Sequence, residues 1–462
     1  MTEEAPQPAL DTAPLLLIAL GAVLLLLFLI IKLKLHAFVA LILISLIVAL
    51  VTRIPVGEIA DTLIEGLGTT LGSVALLVAL GAMLGRLLEV SGGAEVLARS
   101  LIRRFGEKRA PFALGVAALL FGLPIFFDAG LIVFLPLVFT VARRLGGSIL
   151  TYALPVAGAF AVMHAFVPPH PGPVAAAELI GADIGLVLVF GLLIGLPTWY
   201  VGGYLFGTWA GRRTDLPVPD TLGEMSREDE EPNPPSFGTV LLLLLLPLVL
   251  IFSNTLLDTL ATAGTLSEES TALEVSALVG STPIALLITV IAAMYFLGWR
   301  RSRSRHDVER IADSALGPVA SIILITGAGG MFGAVLRESG IGTALADTLD
   351  DIGLSVLVAA FVISVCLRVA QGSATVALTT TAGLIAPVVE ATSGLSEADL
   401  ALIVIAIAGG ATVLSHVNDS GFWLVGRFLG MDEKTTLRTW TVMETILGTM
   451  GFVLALLLSL VL

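Results

Sequence analysis

Gly81-Ala82-Met83-Leu84-Gly85-Arg86-Leu87-Leu88-Glu89-Val90-Ser91-Gly92 decides how this chain is built, because it returns. Gly329-Gly330-Met331-Phe332-Gly333, followed by Ser339-Gly340, repeats the spacing 248 positions later. The Gly-containing apolar run from Gly158 to His164 recurs as Gly410 to His416, 252 positions on. Two related halves are expected, and a central site at a repeat interface is how many transport folds are organised.

The setting of the halves follows from composition. Of 462 residues, 56% are hydrophobic and 13% charged, with a mean hydropathy of +1.01. A water-soluble fold of this length needs more charge on its surface, so the solvent is lipid. Uncharged runs at Pro14 to Ile31, Ile184 to Gly211, Gly238 to Leu257, Gly280 to Gly298 and Ser314 to Leu336 lie near or above the roughly 20 residues that cross a bilayer. Their continuity excludes a lipid-facing barrel, whose strands alternate apolar and polar. Met1 to Asp11 carries no Lys or Arg, and Lys32 and Lys34 come only after the first run; that order fits a retained helix rather than a signal peptide. The single Cys366 permits no internal disulfide. A net charge of -13 with 20 Arg against 4 Lys fits a high-salt setting or a GC-rich genome equally, and argues against a nucleic-acid partner.

The predicted organisation is an all-α polytopic membrane protein. Residues 1–34 form an N-terminal transmembrane helix and loop, 35–211 a first repeat, 212–237 a cytoplasmic linker and 238–462 a second repeat. The linker holds five prolines and the cluster Glu228-Asp229-Glu230-Glu231. Lys and Arg favour cytoplasmic loops. Arg99, Arg103, Arg104, Lys108 and Arg109 therefore place their segment inside, as do Arg300, Arg301, Arg303 and Arg305. Arg337 to Asp351, with one Arg against Glu338, Asp347, Asp350 and Asp351, and Asp258 to Glu274, with no Lys or Arg, read as outside. Matching segments thus face opposite sides, which predicts inverted-topology repeats. Between Arg109 and Arg143-Arg144, Gly122-Leu123-Pro124 and Asp128-Ala129-Gly130 interrupt a stretch shorter than the roughly 40 residues of two crossings. A re-entrant hairpin fits better. Its mirror runs from Ile352 to about Glu390 with its tip near Arg368 to Thr375. Broken helices are expected at His164 to Pro173 and Ser415 to Gly421. Non-helical backbone at membrane depth is tolerated only where it is buried in protein or lines a cavity, so four interruptions predict one central site.

In the first half the candidates are Pro124, Phe127 and Asp128 with His164, Pro169 and His170. Prolines leave carbonyls and half-helix ends free for a ligand. Asp128, His164 and His170 can exchange protons, or can serve only helix packing. In the second half they are Arg368, Gln371, Gly372, Ser373 and Thr375 with His416, Asn418, Asp419 and Ser420. Amide and hydroxyl groups suit a polyhydroxylated solute. Arg368 can pair a substrate carboxylate, neutralise Asp128 or Asp419, or snorkel outward. Asp128, His164, His416 and Asp419 are the candidates for proton or ion coupling, and Asn418, Asp419 and unwound carbonyls can also bind sodium. Thr379 to Thr381 read as packing, and Glu444 as an ion pair with Arg438 near the inner interface. No cofactor and no metal motif is expected.

Scattered polar groups at mid-depth argue for a carrier. A channel calls for a repeated filter or ring of charge. An intramembrane hydrolase needs a nucleophile with a positioned base, and Ser415 and His416 are adjacent, roughly 100° apart on a helix.

The stretches GLPIFFDAG (122–130), HAFVPPHPGPVAAA (164–177), RVAQGSATVALTT (368–380), SHVNDSGFWLVGRF (415–428) and RTWTVMETI (438–446) resemble the gluconate:proton symporter (gluconate permease) family of the ion transporter superfamily, from about residue 35 to the end. The resemblance implies proton-linked uptake of gluconate or a related small sugar acid across the cell membrane, by a homodimer that moves transport regions against a scaffold. Relatives that take glycerate or D-serine keep other acids open, as does sodium coupling or, further off, an anion channel.

Overall fold

A computed structural model describes residues 10–219, 233–262, 271–417 and 419–462. Residues 1–9, the acidic cluster 228–231, residues 263–270 of the segment 258–274 and Asn418 lie outside the described residues. Every described element is helical.

The first half runs α1 (Thr12–Ile31), α2 (Ala37–Val51), α3 (Val56–Val90), α4 (Gly93–Phe105), α5 (Ala110–Phe121), α6 (Phe127–Leu145), α7 (Leu150–Phe166), α8 (Pro171–Ile180) and α9 (Ile184–Thr198). A π-helical stretch, Trp199–Phe206, joins α9 to α10 (Gly207–Arg213). The second runs α11 (Phe237–Thr262), α12 (Thr271–Gly280), α13 (Thr282–Ala293), α14 (Arg305–Asp313), α15 (Leu316–Glu338), α16 (Ile341–Asp351), α17 (Val356–Gln371), α18 (Ala374–Ala391), α19 (Glu397–Thr412), α20 (Ser420–Phe428), α21 (Glu433–Thr436) and α22 (Val442–Ser459), with π-helical Leu437–Thr441 before α22. From α3 and from α15 onward the order is the same: long helix, short helix, two-armed hairpin, broken helix, and a last helix with a π stretch. Nine helical segments among the described residues are long and apolar enough to cross a bilayer, which makes this a multi-pass membrane protein.

The repeated motif makes the same local structure twice. Ser91 Oγ donates to Leu88 O (2.8 Å) and Ser339 Oγ to Leu336 O (3.1 Å), closing α3 and α15. Gly92 and Gly340 then each adopt φ +76°, a left-handed turn that only glycine makes without strain. The motif glycines also let α3 and α15 approach other backbone. A Cβ at Gly85 would lie 2.6 Å from Pro124 O, and one at Gly333 3.1 Å from Gly383 O. These two helices pack against each other in opposite directions: Gly66 of α3 meets Ala334 of α15, and Arg86 Nε donates to Ser314 Oγ at 3.2 Å.

The hairpins and breaks sit close to where the sequence places them, with two differences. Asp128-Ala129-Gly130 does not interrupt anything. Phe126 is the N-cap of α6 and Asp128 lies in its first turn, where a carboxylate complements the helix dipole. The first broken helix opens at Val167, so His164 is still helical. Pro168 and Pro169 lack donors and hold their predecessors out of the α region, while Pro171 occupies the first turn of α8, where a missing donor costs nothing.

Burial sorts the helices. The segment Leu150–Ile180 is 89% buried, against 29% for Thr12–Ile30 and 28% for Phe237–Asn254. In α19 every residue from Ala401 to Thr412 is buried. The broken helices therefore form the centre, where backbone freed from helix geometry is enclosed by protein.

Candidate functional site

Each first hairpin arm is short. The 12 residues of α5 reach about 18 Å and the 16 of α17 about 24 Å at roughly 1.5 Å per residue, less than the roughly 30 Å hydrocarbon core. Both arms end alike: Gly122 N donates to Ala118 O (2.8 Å) and Gly372 N to Arg368 O (2.9 Å). The turns that follow, at 122–126 and 372–373, meet the second break beside a cavity of about 680 Å³, within the range of small-molecule sites.

One wall is a charged knot built on the second break, residues 413–419. Arg368, 2% exposed, donates through Nη2 to Asp419 Oδ2 at 2.5 Å and through Nη1 to Gly372 O. Asp419 caps α20 by accepting from Gly421 N (3.0 Å), and also accepts from Ser415 Oγ. Ser415 is held in turn by Trp440 Nε1 (2.7 Å), and its carbonyl by Thr441 Oγ1. A buried ion pair of this kind is retained only with its remaining donors and acceptors satisfied. One donor is left over, since Arg368 Nε is buried without a partner. Ser373 caps α18 and, with Thr375 and Thr379, carries hydroxyls along the cavity, while Ser420 does so from α20.

The facing wall comes from the first half. Pro124, Phe127 and Asp128 line it from the first hairpin tip and His164 from α7. The Phe127 ring lies 5.3 Å from that of Trp440. Asp128 is exposed at the cavity surface. Arg86, Glu89 and Ser314 also line the cavity, and there Arg86 Nη1 and Glu89 Oε1 pair at 2.8 Å.

Of the residues singled out in the sequence, Pro124, Phe127, Asp128, His164, Arg368, Ser373, Thr375, Asp419 and Ser420 meet at this cavity. Others stand behind it. His170, 2% exposed, donates from Nε2 to Gly122 O at 2.6 Å and ties the first break to the first hairpin tip; Pro169 packs beneath it against Gly81 of α3. His416 donates from Nε2 to Val369 O at 3.0 Å, away from the lining. Gly372 is buried in the second tip, and the Gln371 amide is buried with neither polar atom hydrogen-bonded. Asn418 lies outside the described residues.

Glu444 requires a correction. It makes no ion pair with Arg438 at an interface: it is 5% exposed and lies at the cavity wall with Trp440, while Arg438 is exposed. The two stand six positions apart, which on an α-helix turns them about 120° away from each other. A helical projection from Trp440, one turn before Glu444, would have given the right side. Thr379 lines the cavity as well as bonding Thr375 O (3.0 Å) within its helix. Among the described residues no group of three or more His, Cys, Asp or Glu side chains stands close enough to hold a metal ion.

A family model described as GntP family permease matches residues 13–461. The inner membrane permease YgbN of Escherichia coli strain K12 is 43% identical, over 96% of this chain and 98% of its own. A low-affinity gluconate transporter of the same strain is 40% identical (97% and 98%), and a gluconate permease of Pseudomonas aeruginosa 39% (97% and 98%). Among solved structures, the Alcanivorax borkumensis YdaH transporter, described as having an unusual topology, superposes with a TM-score of 0.62 at 16% identity over 96% of this chain and 97% of its own.

Proposed function

The chain belongs to the GntP family of permeases, and from that premise we propose that it carries gluconate or a closely related sugar acid across the cell membrane together with a proton. The observation that carries this reading is the pairing, in one cavity, of a buried guanidinium with hydroxyls from Ser373, Thr375, Thr379 and Ser420. A sugar acid offers the complement: one carboxylate for the spare Nε donor of Arg368, and a row of hydroxyls needing partners when dehydrated. The relatives named for gluconate support the choice of solute. Asp128, His164 and Asp419 supply groups able to exchange protons beside the substrate.

Two further parts belong to the same reading. The antiparallel α3 and α15, carrying the same motif, support halves inserted in opposite senses. Arg86 and Ser314 line the cavity next to the Arg-rich segment 300–310, and Lys- and Arg-rich segments face the cytoplasm, which supports a cavity reached from the inside. The protein works as a homodimer, each copy holding its own cavity.

Counterflow in proteoliposomes, with labelled gluconate, glycerate and D-serine and with imposed pH or sodium gradients, tests the proposal. Gluconate exchange with accumulation driven by an inward pH gradient is expected. Exchange of glycerate or D-serine without gluconate, or accumulation that follows sodium alone, would replace it with the sodium-linked carrier of another small acid.

A further inference from the structure

We propose that Glu444 carries the coupled proton, and that its protonation is what frees Arg368 to take a substrate carboxylate. The inference rests on the proton-linked reading above and assigns the step to a residue.

Glu444 stands one turn after Trp440 at the cavity wall, 5% exposed, and its Oε1 has no hydrogen-bond partner. Asp419 is the contrast: its oxygens are already held by Arg368, Ser415 and the Gly421 amide. The Asp419 oxygens are thus engaged as a helix cap and ion pair, whereas Glu444 Oε1 is buried beside the cavity with no partner to hold it. Asp128 stands on the facing wall, exposed at the cavity surface and outside the knot. The charged groups acting on Glu444 are Arg368 from α17 and Asp419 from the second break. Among the other elements around it, α7 contributes His164 and the first hairpin Asp128. The α19 helix has ionisable groups only in its first turn, Glu397 and Asp399; α9 has none and the first π stretch only Tyr200 and Tyr204. On its own side of the chain Arg438 is exposed.

The charge count supplies the mechanism. With Glu444 ionised, one cation, Arg368, faces two inner carboxylates, Asp419 and Glu444, and the knot carries an excess negative charge before an acid enters. A monovalent substrate adds a second, which an enclosed site disfavours. One proton from the outer water, taken by the Glu444 carboxylate, removes that excess and lets Arg368 be shared between Asp419 and the substrate. When the acid leaves to the cytoplasm, the same proton passes from Glu444 to the inner water. No bond to the substrate forms or breaks. Proton and anion each bind better in the presence of the other, which is coupling in the thermodynamic sense.

The test uses the full-length protein in proteoliposomes, with gluconate-driven proton movement followed by a pH-sensitive dye and counterflow followed with labelled gluconate. Glu444→Gln is expected to keep counterflow while gluconate-driven proton movement and pH-driven accumulation fall about ten-fold or more, the scale of ordinary coupling between sites. Undiminished proton movement in Glu444→Gln, with wild type also moving protons, overturns the assignment and leaves proton coupling standing. No gluconate-driven proton movement by wild type overturns both. Loss of counterflow in a variant that still melts cooperatively means Glu444 serves binding, and overturns the assignment too. Should Glu444→Gln not fold, infrared difference spectra of wild type and Glu444→Asp decide: a gluconate-induced carboxylic acid band that shifts in the Asp variant supports the proposal, and an unmoved or missing band ends it.

Discussion

The two broken helices, α7–α8 and α19–α20, hold the same place in their halves and are finished with different chemistry. At 167–170 the break is sealed: His170 bonds Gly122 O, and the rings of Phe126, His164 and His170 cluster with centroids 5.1 to 6.2 Å apart. At 413–419 the break is wired into Arg368, Ser415, Trp440 and the Gly421 amide through Asp419. The backbone device is duplicated, and the charge is not. A substrate with a carboxylate at one end and hydroxyls along the rest is itself unsymmetric. The comparison teaches that one break acts as a packed wedge against the first hairpin, while the other holds the polar machinery.

The largest effect is expected at Arg368. Removing one partner of a buried ion pair costs about 3–5 kcal/mol, so Arg368→Ala should lower the melting temperature in detergent by many degrees and abolish gluconate uptake. Arg368→Ala combined with Asp419→Ala should recover much of the melting temperature and none of the uptake. Transport by the double variant would move the polar machinery out of the second break.

The motif glycines sharpen the comparison next. Gly85→Ala forces a Cβ toward Pro124 O at 2.6 Å, whereas Gly333→Ala meets Gly383 O at 3.1 Å. Overpacking costs about 1–3 kcal/mol, and thermal unfolding should rank Gly85→Ala as the more damaging. The opposite ranking would mean that the first hairpin tip yields more easily than α18.

A smaller change, of another kind, is expected at His170. His170→Ala leaves the buried Gly122 carbonyl unpaired, at about 1–3 kcal/mol, so stability should fall while the half-saturating gluconate concentration stays unchanged. A steep rise in that concentration would turn the wedge into a binding element.

The least effect belongs to the cavity mouth. The Arg86–Glu89 pair is 40% and 21% exposed, and exposed pairs contribute about 0.2–1 kcal/mol. Arg86→Gln should leave the melting temperature in place and slow exchange of gluconate presented on the cytoplasmic side only at low ionic strength, where a cation at that entrance steers an anion. A salt-independent loss would give Arg86 a role inside the cavity.

What the chain order determines by itself is local. Apolar run length marked the membrane helices, Gly and Pro marked the hairpin tips near 122–124 and 372, and the Ser-Gly pairs at 91–92 and 339–340 marked equal helix ends, because each depends on neighbours a few residues away. Nine of the candidate residues come together at the cavity for the same reason: they lie on or beside helix breaks, and breaks show in sequence. The partners were not. That Arg368 chooses Asp419 over Asp128, that His170 and His416 turn to carbonyls behind the cavity, and that Glu444 faces inward from the last helix depend on groups brought together from 47 to 76 positions apart. Only packing in three dimensions selects among such contacts, since the energy of a buried charge is decided by whatever stands opposite it.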